Sequence, residues 1–413
     1  MRSGDANVPS SPRGALASLI LLWLAGACLR LTVLAVPPLM PRLHADLHLT
    51  ESGVGLLSSL PPLLFSIAAI PGALLIARFG IKATLLVGLL LNALAAAGRG
   101  AVPDSGFLYA ATIVMAAGVS VMQPALPPLV RTWFPHRIGF ATAIYTNGLL
   151  VGEILAAALT IPFVLPLVGD SWRLSLMVWA LPVVATALLV LTARRPMTAP
   201  KSARATTGAA WWPDWKHPLI WRLGILLGSV NALYFVANAF LPDYMIAAGR
   251  PDLIGSALTA LNLFQLPASV LMFALAGRLA TRPWAYVATG ALSFLSIIGI
   301  MTMNGLWIVA WSALLGFANA TTLILVLALP SILSASEDVP RTSAGMFTIS
   351  YSCAMAVSLV SGWLWEWTRL PVMGFVPIAL CAVLILLLAA TVRHAGRGAE
   401  SAGIATSART STE

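Results

Sequence analysis

Charged residues are scarce in this chain of 413 residues, since Asp, Glu, Lys and Arg together make up only 9% of it. Soluble domains carry roughly 25%, and a soluble protein with 59% hydrophobic residues could not cover its surface with polar side chains. The low charge therefore excludes a soluble protein. The apolar runs are about 20 residues long, as in membrane-spanning helices, whereas membrane barrel strands alternate over about 10 residues. The chain is predicted to be an all-α membrane protein.

Cysteine and histidine are also rare, and neither is arranged for chemistry. The three cysteines lie inside apolar runs without metal-ligand spacing, and the five histidines lie in predicted loops and tails. No apolar run carries a nucleophile beside a base, and the sequence contains no phosphate-binding glycine loop of the ATPase type. We therefore expect no metal, no cofactor and no ATP-driven mechanism.

Twelve apolar segments are long enough to cross a membrane. They lie at about residues 16–38, 53–76, 83–102, 107–129, 139–161, 172–193, 219–242, 253–276, 284–303, 306–330, 343–366 and 371–392. A long polar connection follows the sixth. We predict a tail at 1–15, a six-helix bundle at 16–193, a central loop at 194–218, a second six-helix bundle at 219–392 and a tail at 393–413.

Lysine and arginine are unevenly distributed between the two ends of the predicted spans. If both termini lie on one side, that side holds 18 of the 24 basic residues and the other holds five, with Arg30 left inside a span. Cytoplasmic loops carry such an excess, so we predict that both tails and the central loop are cytoplasmic. The formal net charge of +10 then reflects topology, and no nucleic-acid partner is expected.

The second half of the sequence repeats features of the first at a spacing of about half the chain. "ALP" occurs at 125–127 and at 328–330, and "RIGFATAIY" at 137–145 resembles "RTSAGMFTISY" at 341–351. Chance placement in a biased composition is the alternative explanation. Two parallel six-helix repeats are the architecture of a major facilitator transporter, in which the substrate site lies between the halves near the membrane midplane.

Several segments resemble the bacterial cyanate and 2-nitroimidazole transporter family. The resemblance is carried by "CLRLTVLAVPPL", "LTESGVGLLSSLPPLLF", "ARFG", "FPHRIG", "GSVNALYFVANAFLP" and "QLP". It implies a single-chain, monomeric carrier in the bacterial inner membrane for a small anionic or polar solute, in a family linked to both uptake and export. The "ARFG" loop departs from the wider facilitator signature because Ala77 stands where an Asp is usual.

Arg30 is an always-charged residue inside the first apolar segment. It lies about 14 residues into the segment, or roughly 21 Å, which is a few Å past the middle of a ~30 Å hydrocarbon core. Such a charge needs a wet cavity, a partner or a ligand. We interpret it as an anion-binding residue, with a structural ion pair and extension to the headgroups as the alternatives.

Glu153 is the one acidic residue in the interior of a predicted span, and it falls at nearly the same depth as Arg30. The first and fifth spans are neighbours in the fold that the resemblance implies. We therefore hypothesise that the two side chains interact in at least one state, which would couple anion binding to proton binding. A static pair that stabilises helix packing is the alternative.

Amide and phenol side chains recur near the middle of other spans. They are Gln123, Asn231, Tyr234, Asn238, Gln265 and Asn319. With Arg30 they would form a polar lining suited to a small anion or a dipolar ring, although each could instead form a hydrogen bond between helices, worth about 1 kcal/mol. Tyr145, Asn147 and Tyr351 occupy equivalent repeat positions. Arg99, at the outer end of the third span, is expected to extend to the headgroups.

These features favour a secondary active transporter that moves a small anionic or polar solute, cyanate-like or a compact organic anion, across the bacterial inner membrane by alternating access. Proton coupling through Glu153 is one form that this mechanism can take. The alternative is an efflux carrier for neutral nitro-heterocycles or other small drugs. A membrane enzyme is disfavoured by the lack of catalytic groups within the spans, and a receptor by the short polar segments, which leave no room for a signalling domain.

Overall fold

The computed structural model describes residues 12–49, 51–193, 197 and 211–389, and within them all regular secondary structure is helical. The predicted tail at 393–413 and most of the predicted tail at 1–15 and central loop lie outside the described residues. The first half contains helices Pro12–Ala27, Leu31–Leu34, Met40–Leu47, Glu51–Ile67, Ala69–Gly98, Ser105–Met122, Leu126–Trp133, Ile138–Leu159, Leu165–Leu167 and Trp172–Thr192. The second half contains Pro218–Ala247, Ile254–Leu263, Gln265–Leu279, Pro283–Thr302, Leu306–Leu333, Val339–Thr368 and the helical segment Pro371–Ala389.

Eleven segments of the described chain are long and apolar enough to cross a membrane. One of them, Ala69–Gly98, is two helices joined at Gly80, whose φ of 85° and ψ of 172° are not helical. Residues other than glycine rarely adopt such a positive φ. Residues 69–79 therefore complete the crossing that begins with Glu51–Ile67, and residues 81–98 form the next one.

Two close contacts show that the chain reverses direction at Gly80. A Cβ atom on Gly72 would lie 2.6 Å from the carbonyl oxygen of Val121, and one on Gly88 would lie 2.7 Å from that of Gly118. Positions eight residues before and eight residues after the turn thus contact the same level of a neighbouring helix. The prediction of twelve crossings is confirmed.

We number the crossings as spans 1–12. They are Gly14–Leu39, Glu51–Ile67 with 69–79, 81–98, Ser105–Trp133, Ile138–Leu167, Trp172–Thr192, Pro218–Ala247, Pro251–Leu279, Pro283–Thr302, Leu306–Leu333, Val339–Thr368 and Pro371–Ala389. The same pairings recur in both halves, because spans 1 and 5, 2 and 4, and 3 and 4 pack together, as do spans 7 and 11, 8 and 10, and 9 and 10.

The two halves are in close contact at one end of the bundle. We call this end the basic side, because Arg78, Lys82 and Arg131 lie at span ends there. The guanidinium of Arg131 donates to the carbonyl of Ser334, and the hydroxyl of Ser331 donates to the carbonyl of Pro127 at 2.8 Å. Spans 4 and 10, which carry the two "ALP" sequences, therefore join the halves at the basic side.

Candidate functional site

A cavity lies between the two halves near the middle of the spans. The cavity is lined by spans 1, 4 and 5 of the first half and by spans 7, 10 and 11 of the second half. The lining residues are Leu29, Arg30, Gln123, Leu126, Tyr145, Leu149, Leu227, Asn231, Leu323, Leu327, Phe347 and Tyr351. Its volume is about 30 Å³, enough for roughly two water molecules. The lining is mostly apolar, with its polar groups concentrated around Arg30.

Arg30 reaches this cavity because span 1 is broken next to it. Helix Pro12–Ala27 ends in a turn at residues 28–30, and Leu31–Leu34 then continues the crossing. In the turn, the backbone N–H groups of Leu29 and Arg30 donate to carbonyls three residues back, at 3.0 and 3.1 Å. The break brings the guanidinium into the space between the halves, where only 7% of the residue is exposed.

Two aromatic rings contact the guanidinium of Arg30. Its central carbon lies 5.6 Å from the ring centre of Phe65 in span 2 and 5.6 Å from that of Phe235 in span 7. Such cation–π contacts stabilise a charge without neutralising it. The first half contributes one ring and the second half contributes the other, so Arg30 contacts both halves where they meet.

Tyr351 of span 11 connects the polar groups of the cavity. Its hydroxyl accepts hydrogen bonds from Arg30 Nη2 at 3.4 Å and from Gln123 Nε2 at 2.9 Å. Its ring contacts Phe65 at 5.1 Å and stacks on Phe347 at 6.4 Å between ring centres. Arg30 and Gln123 belong to the first half and Tyr351 to the second, so this cluster joins the halves at mid-depth.

The structure brings together three of the predicted site residues: Arg30, Gln123 and Asn231. The amide of Asn231 donates to the hydroxyl of Ser350 at 2.8 Å while the residue lines the cavity. Asn319 lies four residues before Leu323, and hence on the same face of span 10. Asn319 is buried, and its Oδ1 atom has no hydrogen-bond partner among the described residues.

The other three predicted residues, Tyr234, Asn238 and Gln265, do not line the cavity. They form a separate network through Asn262 between spans 7 and 8. The hydroxyl of Tyr234 donates to Asn262 Oδ1 at 3.1 Å, Gln265 Nε2 donates to the same atom at 3.4 Å, and Asn262 Nδ2 donates to Asn238 Oδ1 at 2.8 Å. In this structure Tyr234 and Asn238 fit the interhelical hydrogen-bond alternative because they bond to span 8, whereas Gln265 bonds within its own span.

Glu153 is buried in span 5, with 7% of the residue exposed. It follows Gly152, which packs on the backbone of Ala27 in span 1, and it lies one helical turn beyond the cavity residue Leu149. Arg30 is near enough to interact with it electrostatically, yet the described side chains form no ion pair between the two. The aromatic rings and Tyr351 hold Arg30 instead.

The expected extension of Arg99 to the headgroups is wrong. Arg99 has an exposed fraction of 0%, and its Nη2 atom donates to the carbonyl of Thr32 at 2.7 Å. The reason is that helix Leu31–Leu34 has only four residues, so the carbonyl of Thr32 lies in its last turn and has no donor within the helix. Only the tertiary structure shows that acceptor.

Sequence reasoning missed the aromatic residues of the site: Phe65, Phe235 and Phe347. A single apolar residue in an apolar span carries no signal of its own. The internal repeat did carry a signal for Tyr145 and Tyr351, which are 206 positions apart and both line the cavity. Within the described ranges, no group of three His, Cys, Asp or Glu side chains is placed to hold a metal ion.

Comparison with known proteins gives consistent matches. The chain is 27% identical over 382 residues to the 2-nitroimidazole transporter of Escherichia coli (strain K12), covering 90% of this chain and 93% of the relative. It is 27% identical over 316 residues to the cyanate transport protein CynX of the same organism, covering 75% of this chain and 80% of the relative.

The fold also matches a solved structure. The proton:xylose symporter XylE bound to 6-bromo-6-deoxy-D-glucose superimposes with a TM-score of 0.76 at 13% identity, covering 92% of this chain and 96% of that one. This likeness confirms the predicted facilitator fold. The family model described as Major Facilitator Superfamily matches residues 22–251, which is more than half of the chain. The chain therefore belongs to the Major Facilitator Superfamily and is a membrane transporter of that fold.

Proposed function

We propose that this transporter carries a small anion and that the guanidinium of Arg30 binds it. The supporting observation is a buried arginine between the halves that is held by two aromatic faces and a hydroxyl rather than by a carboxylate. Its Nε atom has no hydrogen-bond partner within the described chain. A buried cation that keeps its full charge and free donors is suited to binding an anionic ligand.

The size and polarity of the cavity favour a compact anion. About 30 Å³ is room for a few non-hydrogen atoms, and a larger solute would require the halves to separate. Arg30 and Gln123 both present N–H donors, and the Tyr351 hydroxyl, which only accepts in these contacts, can donate a third hydrogen bond. Cyanate, the solute in the name of one relative, is a three-atom anion that meets this description.

A neutral nitro-heterocycle is the second candidate, supported by the aromatic walls of the cavity. Tyr145, Phe347 and Tyr351 line the cavity and are available to stack on a flat ring, and the two oxygens of a nitro group have the spacing that a guanidinium recognises. Another relative is named for 2-nitroimidazole. Because the cavity is small, this candidate requires an expanded conformation.

Alternating access would follow from the contacts between the halves. Arg30 and Gln123 belong to one half and bond to Tyr351 of the other. An anion that takes over these donors changes the bonds that join the halves at mid-depth. The contacts of Arg131 and Ser331 close the basic side in the present conformation, and opening that side requires them to break.

The basic side is proposed to be cytoplasmic, since the excess of Lys and Arg lies there. Both tails and the central loop would then be cytoplasmic, the carrier would reside in the bacterial inner membrane, and the present conformation would be closed toward the cytoplasm. The site is complete within one chain, which is consistent with a working monomer.

Flux through purified protein in proteoliposomes tests this function. We expect saturable uptake of radiolabelled cyanate, with efflux from preloaded vesicles at a similar rate constant, and weaker transport of 2-nitroimidazole. Protein-free vesicles provide the background. Transport of 2-nitroimidazole without transport of cyanate would favour the second candidate, and folded protein that moves neither would contradict the proposal.

Glu153 is proposed to couple this transport to protons. It is buried beside Arg30 without an ion-pair partner in the part of the chain that the structure describes. An anion on Arg30 and a carboxylate at Glu153 would compete for the same positive charge. Binding of the anion would therefore favour a protonated Glu153, and release of the anion would favour release of the proton from Glu153.

Replacing Glu153 with glutamine is expected to abolish the effect of a pH gradient on cyanate uptake while exchange at equal pH continues. Glutamine keeps the size of the side chain but cannot change its charge. The measurement is initial cyanate uptake with and without an imposed pH gradient. The matched control is Glu366→Gln at the exposed end of span 11, which should respond like the unmodified protein. If cyanate uptake by Glu153→Gln still responds to the pH gradient, the proposed coupling role of Glu153 is contradicted.

A further inference from the structure

We propose that Thr32, Asn92 and Arg99 form a brace that positions Arg30 for anion binding. This inference rests on the proposed function, because it gives these residues a role only through Arg30. None of the three touches the cavity. They are positioning residues: they act on the backbone of span 1 on both sides of Arg30.

The break at residues 28–30 creates the need for such a brace. Where an α-helix is interrupted, carbonyls leave the regular ladder of hydrogen bonds, and in an apolar environment they need other donors. Cys28 and Thr32 are the residues two positions before and two positions after Arg30. The carbonyl of Cys28 lies in the break, and that of Thr32 lies in the last turn of the four-residue helix Leu31–Leu34, where carbonyls have no donor within the helix. These two carbonyls are points at which the backbone around Arg30 can be held.

Span 3 and Arg99, the residue that caps its end, supply the donors for both carbonyls. Asn92 Nδ2 donates to the carbonyl of Cys28 at 2.9 Å, and Arg99 Nη2 donates to the carbonyl of Thr32 at 2.7 Å. The hydroxyl of Thr32 donates to Asn92 Oδ1 at 2.8 Å and so links the two contacts. Each of the three residues has an exposed fraction of 0%.

The burial of Arg99 argues for more than general stability. Its Nε and Nη1 atoms have no hydrogen-bond partner among the described residues, and no acidic side chain in those ranges forms an ion pair with it. A buried charge without a counter-charge is costly, and an apolar residue of similar size often stabilises such a site better. An arginine here is explained by the carbonyl that it holds.

The test compares two substitutions at Thr32 with a matched control. Thr32→Val keeps the shape of the side chain but removes the hydroxyl, whereas Thr32→Ser keeps the hydroxyl and removes a methyl group. Thr322→Val is the control, because Thr322 is equally buried but donates to the carbonyl of Ala318 in its own helix. Cyanate affinity is measured by calorimetry, and thermal stability is measured on the same samples.

We expect Thr32→Val to weaken cyanate binding about tenfold, the effect of one lost hydrogen bond, and Thr32→Ser and Thr322→Val to bind within about twofold of the unmodified protein. Asn92→Ala removes both of its bonds and should weaken binding at least as much as Thr32→Val. If Thr32 acted only through packing, the order would be reversed, and Thr32→Ser would weaken cyanate binding more than Thr32→Val.

Two results would overturn the inference: unchanged cyanate affinity in both Thr32→Val and Asn92→Ala, or equal weakening in Thr32→Ser and Thr32→Val. Failure of the proposed function gives a different pattern, because Arg30→Ala would then bind cyanate as tightly as the unmodified protein.

Discussion

Arg30→Ala is expected to weaken cyanate binding and slow cyanate flux by about 100-fold. The substitution removes the buried cation of the cavity together with the donor that bonds to the Tyr351 hydroxyl. Hydrogen bonds to a charged group contribute about 1.5–3 kcal/mol each, and a loss of about 3 kcal/mol corresponds to roughly 100-fold in affinity. Arg30→Lys keeps the charge but not the planar pair of donors, so its cyanate affinity and flux should lie between those of Arg30→Ala and the unmodified protein.

The measurements are calorimetric binding and proteoliposome uptake of cyanate. Arg282→Ala is the matched control, since Arg282 is exposed at the start of span 9 and makes no side-chain cap there. Arg99 would be a poor control because it holds the backbone of span 1. Equal losses in Arg30→Ala and Arg282→Ala, or no loss in Arg30→Ala, would contradict the role of Arg30.

Gly26→Ala is expected to prevent stable folding. A Cβ atom at Gly26 would lie 1.9 Å from the carbonyl oxygen of Tyr145, and one at Gly148 would lie 2.1 Å from that of Trp23. The obstacle is backbone on a packed helix and cannot rotate away, so spans 1 and 5 would have to separate. Overpacking in a core costs about 1–3 kcal/mol when side chains can adjust, and we expect at least about 3 kcal/mol here.

Melting temperature and monodispersity on size exclusion measure this effect. Gly255→Ala is the control, because Gly255 is also helical and a Cβ atom there would meet nothing within 4 Å. The control should be neutral or slightly stabilising, since alanine favours a helix over glycine by roughly 0.5–1 kcal/mol. A Gly26→Ala protein that melts at the temperature of the control would show that spans 1 and 5 can separate without cost.

The position of Arg30 along its span was predictable, but its partners were not. Counting residues at 1.5 Å each placed it near mid-depth, and the cavity is there. The same counting matched Glu153 to Arg30 in depth, yet the two form no ion pair in the described structure. Depth follows from position in the chain, whereas contact also depends on how each helix is rotated about its axis.

The polar residues of spans 7 and 8 show the same limit. Asn231, Tyr234 and Asn238 follow one another along span 7, but Asn231 lines the cavity and the other two bond toward Asn262 of span 8. Successive helical residues point 100° apart, so neighbours in sequence can serve different interfaces. Hydropathy does not distinguish a cavity residue from a residue at a helix interface, because all three are polar residues in an apolar span.

The sequence by itself determined the all-α class, the twelve crossings and the central position of the one arginine inside the first span. These depend on local properties, namely the length of apolar runs and the charge of the loops. The tertiary structure decided that Phe65 and Phe235 enclose Arg30, that Tyr351 joins it to Gln123, and that Arg99 holds span 1 from within. Those contacts arise from a helix break and from close glycine packing between spans far apart in sequence, and no local pattern encodes them.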